Sequence, residues 1–272
     1  MTTVTKQGRK VKSDMIPSEL TPGKIKLTGE GERTIVVFTG NQLRHDRFAL
    51  RMQHEFGHRV IGWFQVQCEA GKGESGVEEA LFADEVKVLR KGAHLKPVVV
   101  SDPDAHEVVD QVRELAPFFM VTLGGAIYSE PLLQCVRGVA LNQHDGWCPE
   151  YKGANTVDWT FYHRDIAHLG NTVHILTSGM DAGPVVRRSS VCLVDNDTRE
   201  SCFARVVALG TELMCEVVAE ALEADEITVY DQPCGSGCTY LNHELTPEVI
   251  KAIDRDFQNG WLSFELSRVR RF

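Results

Sequence analysis

The stretch from Gly138 to Gly183 carries the side chains best suited to chemistry: Asn142 and His144, two residues apart, and Asp181 in a later turn bounded by Gly179 and Gly183. Moving a one-carbon acyl group to an amine requires donors preset for an oxyanion and a base for the departing proton. An Asn amide donates without changing charge, and an imidazole on the same side of an extended chain can take the proton or donate to the same oxygen. A carboxylate can fix the tautomer of that imidazole and raise its basicity. Each residue is also ordinary where it stands, since Asn and His are common in loops at strand ends and Asp between glycines is a usual turn residue. The trio alone leaves both readings open.

Other titratable clusters carry weaker signals. His163, His168 and His174 could join His144 around a metal, but their separations do not put two on one helical face in the manner of His-x-x-x-His. Cys234 and Cys238, in PCGSGC, lack a second thiol pair or nearby His ligands, so no metal is expected.

The scaffold for the trio reads as strands and helices in alternation. TIVVFTGN, following Arg33, is a short β-branched run ending in a Gly turn, the pattern of a buried parallel strand. A helix between Arg44 and Gly57 and strands at Val60–Val66 and Pro97–Val100 follow, with a helical segment over 74–91 between the strands. Next come a helix over 106–115, a strand over 118–123, a short helix over 130–135 and a strand over 138–142. After Gly153 a helical segment carries Trp159, Phe161 and Tyr162, and strands over 171–176 and 185–193 lead to a long helix over 197–224. The alternation predicts a Rossmann-like doubly wound, mostly parallel α/β sheet with ligands at the carboxyl ends of its strands. The turn Gly124-Gly125-Ala126-Ile127-Tyr128 lets a flat ligand approach the backbone, but it is not a dinucleotide fingerprint. We divide the chain into a polar N-terminal arm (1–31), a catalytic domain (32–224) and a small C-terminal extension (225–272) with a helix over 247–257.

The chain of 272 residues is long enough for a full core, and 43% apolar with 25% charged residues is ordinary for a globular protein. A net charge of −9 argues against a broad electrostatic grip on nucleic acid and leaves room for a local basic pocket. Eight scattered cysteines read as buried free thiols of a reducing compartment. With no long apolar run and no signal-peptide core, the expected location is cytoplasmic, with no membrane partner.

Asn-x-His, then Pro149 and Tyr151-Lys152-Gly153, then Asn-Thr-Val-His before Met-Asp-Ala-Gly-Pro (171 to 184), together resemble the folate-dependent formyltransferase family. The resemblance covers about 34 to 224 and implies that family's fold, with Asn142, His144 and Asp181 as the catalytic trio and 10-formyltetrahydrofolate as the donor. It further implies that backbone of Gly125, Ala126, Ile127 and Tyr128, and of Thr177, Ser178, Gly179 and Met180, holds the pterin, with Leu133 as an apolar wall. Gly40-Asn41 matches the place where some members hold an acceptor's phosphate, and Arg44 beside it could neutralise that charge.

His144-Asp145-Gly146 departs from the His-Pro-Ser run of the purine branch and is similar to enzymes that formylate nucleotide-activated amino sugars. The aromatic run Asp158 to His163 fits the same branch, as does the segment Gly40 to His45. The expected acceptor is an amino sugar of surface-polysaccharide synthesis, met by Gly40, Asn41, Arg44, His45, Lys152, Trp159 and Tyr162. A purine precursor or other small phosphorylated amine is the alternative, and a non-catalytic binding module the competing class. The assembly is either a single chain or a homodimer.

Overall fold

A computed structural model of the chain describes residues 13–15, 19–67, 75–124 and 126–269. Its first half comprises β1 (Ser13–Met15), β2 (Thr21–Lys26), β3 (Ile35–Thr39), α1 (Leu43–Phe56), β4 (Val60–Val66), α2 (Ser75–Leu89), β5 (Val98–Val100), α3 (His106–Leu115) and β6 (Phe119–Leu123). The second half runs α4 (Glu130–Leu133), β7 (Val139–His144), β8 (Tyr151–Gly153), α5 (Thr156–Tyr162), β9 (Gly170–Ile175), β10 (Val185–Ser190), α6 (Arg199–Glu223), β11 (Glu226–Asp231), β12 (Cys238–Tyr240), α7 (Pro247–Gln258) and α8 (Trp261–Val269).

Every residue of β3 and β6 is buried, because helices cover both faces of the strands. Ile35 and Val37 point into one apolar cluster with Phe48 of α1 and Val207 and Val217 of α6. Val36 and Phe38 point into another with Val108, Val109 and Val112 of α3 and Leu132 of α4. This period-two split makes one continuous β-branched run the middle of a three-layer sandwich.

The large sheet has the order β2-β11-β10-β9-β7-β6-β3-β4-β5, with β1 also paired to β10. From β7 to β5 all neighbours run parallel, and β9 then pairs antiparallel with β7. The expected doubly wound, mostly parallel architecture is therefore present. Strand order reverses between β3 and β6, which opens a crevice beyond their carboxyl ends, one strand away from β7. The long helix α6 starts where the Thr198 hydroxyl accepts from Ser201 N–H, and α7 where Thr246 accepts from Val249 N–H with Pro247 in its first turn.

The flanking segments join this sheet rather than hang from it. Residues 21–26, expected to be part of a loosely packed arm, form its edge strand and pair in register with Glu226–Asp231, a strand absent from the sequence reading. Farther on, α7 and α8 bury Ile253, Trp261, Leu262 and Leu266 against Val157 and Phe161 of α5 and Val206 of α6. The tail thus packs on its own chain. Among the described residues no helix is long and apolar enough to cross a membrane. The described cysteines are free, but Cys192, Cys234 and Cys238 are exposed, contrary to the expectation of buried thiols.

Candidate active site

Asn142 and His144 leave β7 on one face, two residues apart as strand alternation requires. Parallel register sets Thr122 of β6 beside Asn142, and antiparallel register sets His174 of β9 on its other side. The row is joined chemically: Thr122 Oγ1 donates to Asn142 Oδ1 at 2.6 Å, and Asn142 Nδ2 lies 3.0 Å from His174 Nε2. His174 Nδ1 is 2.8 Å from its neighbour's carbonyl, Ile175 O, and its Nε2 can accept from Asn142 or, when it carries a proton, donate to Asp181.

The loop between β9 and β10 brings Asp181 to this row. Its Oδ1 lies 3.4 Å from Asn142 Nδ2 and 3.2 Å from His174 Nε2, and its Oδ2 lies 3.4 Å from His144 Nδ1. Gly153 N–H donates to Oδ2 at 2.7 Å. Asp181 takes a left-handed backbone with φ of 46°, unusual for a residue with a Cβ, so its surroundings must hold it there. Burial would raise its carboxyl, but the His144 charge, the bond and charge of His174 and the Gly153 N–H together hold it well below the usual carboxylate range. His144 Nε2 lies 2.9 Å from Tyr151 O. Each ring nitrogen of His144 therefore faces an oxygen that can only accept, closely at Nε2 and more loosely, at 3.4 Å, at Nδ1.

The opposite face of β7 carries a second polar group. Asp145 Oδ1 accepts from Gln143 Nε2 and Asn171 Nδ2, each at 2.9 Å, beneath α6. Gly210 of that helix has to be small: a Cβ there would stand 2.5 Å from Gln143 Nε2 and 2.6 Å from Asn171 Nδ2. Burial raises the Asp145 carboxyl above its ordinary value, outweighing the Gln143 bond and the Arg44 charge. Gly146 is equally constrained, since a Cβ would meet His144 Nε2 at 2.3 Å and Thr156 Oγ1 at 2.6 Å. Thus the Asp145-Gly146 pair, read from sequence as a mark of the acceptor, has a local packing reason as well.

The remaining expected contacts divide. Ala126 and Ile127 are exposed, as are Ser178, Gly179 and Met180, while Leu133 and Thr177 are half-buried. Ile127 at 55% and Met180 at 37% are among the few large apolar side chains open to solvent. The Tyr128 side chain is core, its ring edge-on to Phe38, and Gly125 lies outside the described residues.

The acceptor set is more scattered. Asn41 is exposed and Gly40 buried. Arg44 lies over the Phe203 ring at 5.5 Å, and its charge acts on buried Asp145 rather than only on the Gly40-Asn41 turn. His45 is buried against Gly124, where a Cβ would stand 2.5 Å from its Nε2, and burial reinforced by the Arg44 charge pushes its imidazole well below the usual histidine range. It sits there neutral, so it is no cationic partner for a phosphate. Lys152 Nζ is turned to Ser236 O at 2.9 Å. Trp159 is buried and stacked on Tyr240 at 4.7 Å, which makes it packing, while Tyr162, edge-on to it, is exposed.

Of the row's other residues, Thr122 is not named by the sequence reading, and His174 enters it only as a metal-ligand candidate and as part of the Asn-Thr-Val-His motif, without a role beside Asn142. The signal that finds His174 is pairwise: once the strand over 171–176 is laid antiparallel to the Asn142 strand, His174 falls opposite Asn142. Among the described residues no group of three or more His, Cys, Asp or Glu is placed to hold a metal ion.

Residues 35–218 match the family model described as formyl transferase. A methionyl-tRNA formyltransferase of Clostridium tetani is 23% identical over 78% of this chain and 69% of its own length. Two further relatives so named are spanned over only 50% and 61% of their lengths. Among solved structures, a sugar N-formyltransferase from a Shewanella species superposes with a TM-score of 0.55 at 14% identity, covering 78% of each chain. A phosphoribosylglycinamide formyltransferase from Anaplasma phagocytophilum gives 0.55 at 18% identity, covering 71% of this chain and 88% of its own.

Proposed function

Because this chain belongs to the formyl transferase family, we propose that it moves a formyl group from 10-formyltetrahydrofolate to the amine of a small acceptor, an amino sugar carried on a nucleotide and used in surface-polysaccharide synthesis. The observation that carries the chemistry is the convergence of Asn142, His144 and Asp181 within 3.4 Å contacts on one face of β7. Exposed apolar Ile127 and Met180, on the two loops expected to hold the pterin, fit a flat ring system.

In this reading the acceptor nitrogen attacks the formyl carbon, the carbon–nitrogen bond to the folate breaks, and the nitrogen's proton leaves through His144 to the departing folate nitrogen. Asn142 donates to the developing oxyanion, and the oxygen displaces the longer of its two contacts, the one at 3.4 Å to Asp181. Asp181 stays ionised and holds the His144 ring while it carries the proton.

The amino-sugar reading draws on the His144-Asp145-Gly146 run, the exposed Tyr162 and the acidic net charge of −9, which disfavours a large nucleic-acid acceptor. A second reading, methionyl-tRNA, is favoured by the names of the curated relatives. Incubation with 10-formyltetrahydrofolate and separate acceptors decides between them, with absorbance reporting tetrahydrofolate. Release with a nucleotide-linked amino sugar is the expected result. Release only with methionyl-tRNA or a phosphorylated purine precursor overturns the acceptor, and release with none added makes the protein a hydrolase of the donor. We further propose that residues 32–224 form the catalytic unit and that the protein works in the cytoplasm.

A further inference from the structure

Asp181 sits in a left-handed conformation on a loop, and the contacts of Asn142 and His144 reach its carboxylate and not its backbone. The backbone is held from elsewhere. Gln232, the first residue after β11, directs Nε2 to Asp181 O at 2.8 Å and to Gly183 O at 2.7 Å. One side-chain amide thus spans both ends of the turn that presents the carboxylate, while its own Oε1 is shielded from solvent without a partner. A buried polar atom left unpaired costs stability, so the two donated bonds are what that orientation supports.

The chain that follows Gln232 grips the other group that defines Asp181. β12 lies parallel to β8, with Tyr240 opposite Gly153 and Cys238 opposite Tyr151. Cys238 N–H donates to Glu150 O at 2.9 Å and Ala154 N–H to Tyr240 O at 2.8 Å. The fit is close enough that a Cβ on Gly153 would stand 2.2 Å from Tyr240 O, and one on Gly237 would stand 1.7 Å from Pro149 O. Gly153 is the residue whose N–H binds Asp181 Oδ2. The segment from 232 to 240 therefore holds the backbone of the carboxylate at one end and its main-chain donor at the other.

We infer that Gln232 is a positioning residue for the transfer, setting the Asp181 carboxylate against His144 and Gly153 N–H. The C-terminal extension is on this account part of the active-site apparatus. The inference rests on the role proposed for Asp181, so its test has one arm that does not depend on formyl transfer.

Gln232→Ala removes the side chain, and Gln232→Glu keeps its shape while withdrawing both donors at neutral pH. With 10-formyltetrahydrofolate and the active acceptor, both variants lose kcat by about tenfold to a hundredfold with little change in KM, as a misplaced catalytic group does. Lowering the pH restores part of the turnover of Gln232→Glu relative to wild type, because a protonated carboxyl again donates. Independently, amide exchange at Gly153 quickens by about tenfold in the free protein of either variant, while Tyr151 N–H, bonded to Trp147 O at 2.8 Å, keeps its protection. Wild-type kcat in Gln232→Glu, or unchanged Gly153 exchange, overturns the inference. A merely structural role instead predicts equal loss of protection at both amides and a lower Tm with kcat per folded molecule intact. If the wild-type protein transfers to no acceptor, the functional reading fails, and the exchange comparison alone decides the placement of Asp181.

Discussion

The two faces of one strand, β7, carry polar groups of similar composition arranged to different ends. On one face Asn142 and His144 meet Thr122, His174 and Asp181; on the other Gln143 and Asp145 meet Asn171 under α6. Asp181 is held ionised by histidines and a backbone N–H, whereas Asp145 is held by neutral amides in a place where burial raises its carboxyl. The first arrangement prepares a charge for a proton in transit. The second joins sheet to helix and is closed by Gly210, where a side chain would collide with both amides. A polar residue in a strand is thus assigned its work by the face it leaves from and by what covers that face.

Substitutions that disturb one face and spare the other break this comparison most directly. Asp181→Asn keeps shape and removes charge, and by analogy with a triad carboxylate it costs on the order of ten-thousand-fold in turnover. The fold survives, because the site is at the end of the sheet and the apolar clusters are untouched. Near-normal turnover would place Asp181 with Asp145 as a purely structural carboxylate.

Which of these partners can be read in a linear sequence follows from the same contrast. Ile35–Thr39 and Phe119–Leu123 announce themselves because both faces are apolar, and the doubly wound sheet follows from the alternation of such strands with helical segments. Asn142 and His144 share a face by counting. His174 does not appear by counting, because its place beside Asn142 depends on a register between strands whose directions the sequence does not state. The edge pair 21–26 and 226–231 is hidden for another reason: Thr21–Lys26 is exposed or half-buried at every position, and of its partner strand only Ile227 and Val229 enter the core. His45 misleads because an exposed phosphate loop and a buried crevice residue use the same residue types, and only burial separates them.

A smaller effect is expected at His174, which touches both Asn142 and Asp181 without facing the reacting atoms by itself. His174→Ala should lower kcat by about tenfold to a hundredfold through lost alignment of those two groups. Steady-state kinetics at saturating donor reads this, and a change confined to KM would remove His174 from the row. On the sealed face Asn171→Ala withdraws one donor from Asp145 and should cost about 1–3 kcal/mol of unfolding free energy. Its kcat per folded molecule should stay near wild type. A catalytic loss without a loss of stability there would mean the two faces are coupled through β7.

The finest test uses the opposite displacement of the two carboxyls. Asp181 is lowered in the fold, so its stabilisation is complete above the ordinary carboxylate value of about 3.9 and is lost as pH falls through its folded value. Asp145 is raised, so the folded state holds a proton that the unfolded state has given up, and its contribution declines as pH rises from that ordinary value through the folded one. Urea unfolding of wild type, Asp181→Asn and Asp145→Asn across the acid range separates these. Wild type should gain on Asp181→Asn as pH rises toward about 4, and should lose ground to Asp145→Asn as pH rises above it. The amide replacements shift each curve by a constant, so the slopes and not the offsets carry the result. Slopes of the same sign would mean that the two faces of β7 hold their carboxylates by the same means.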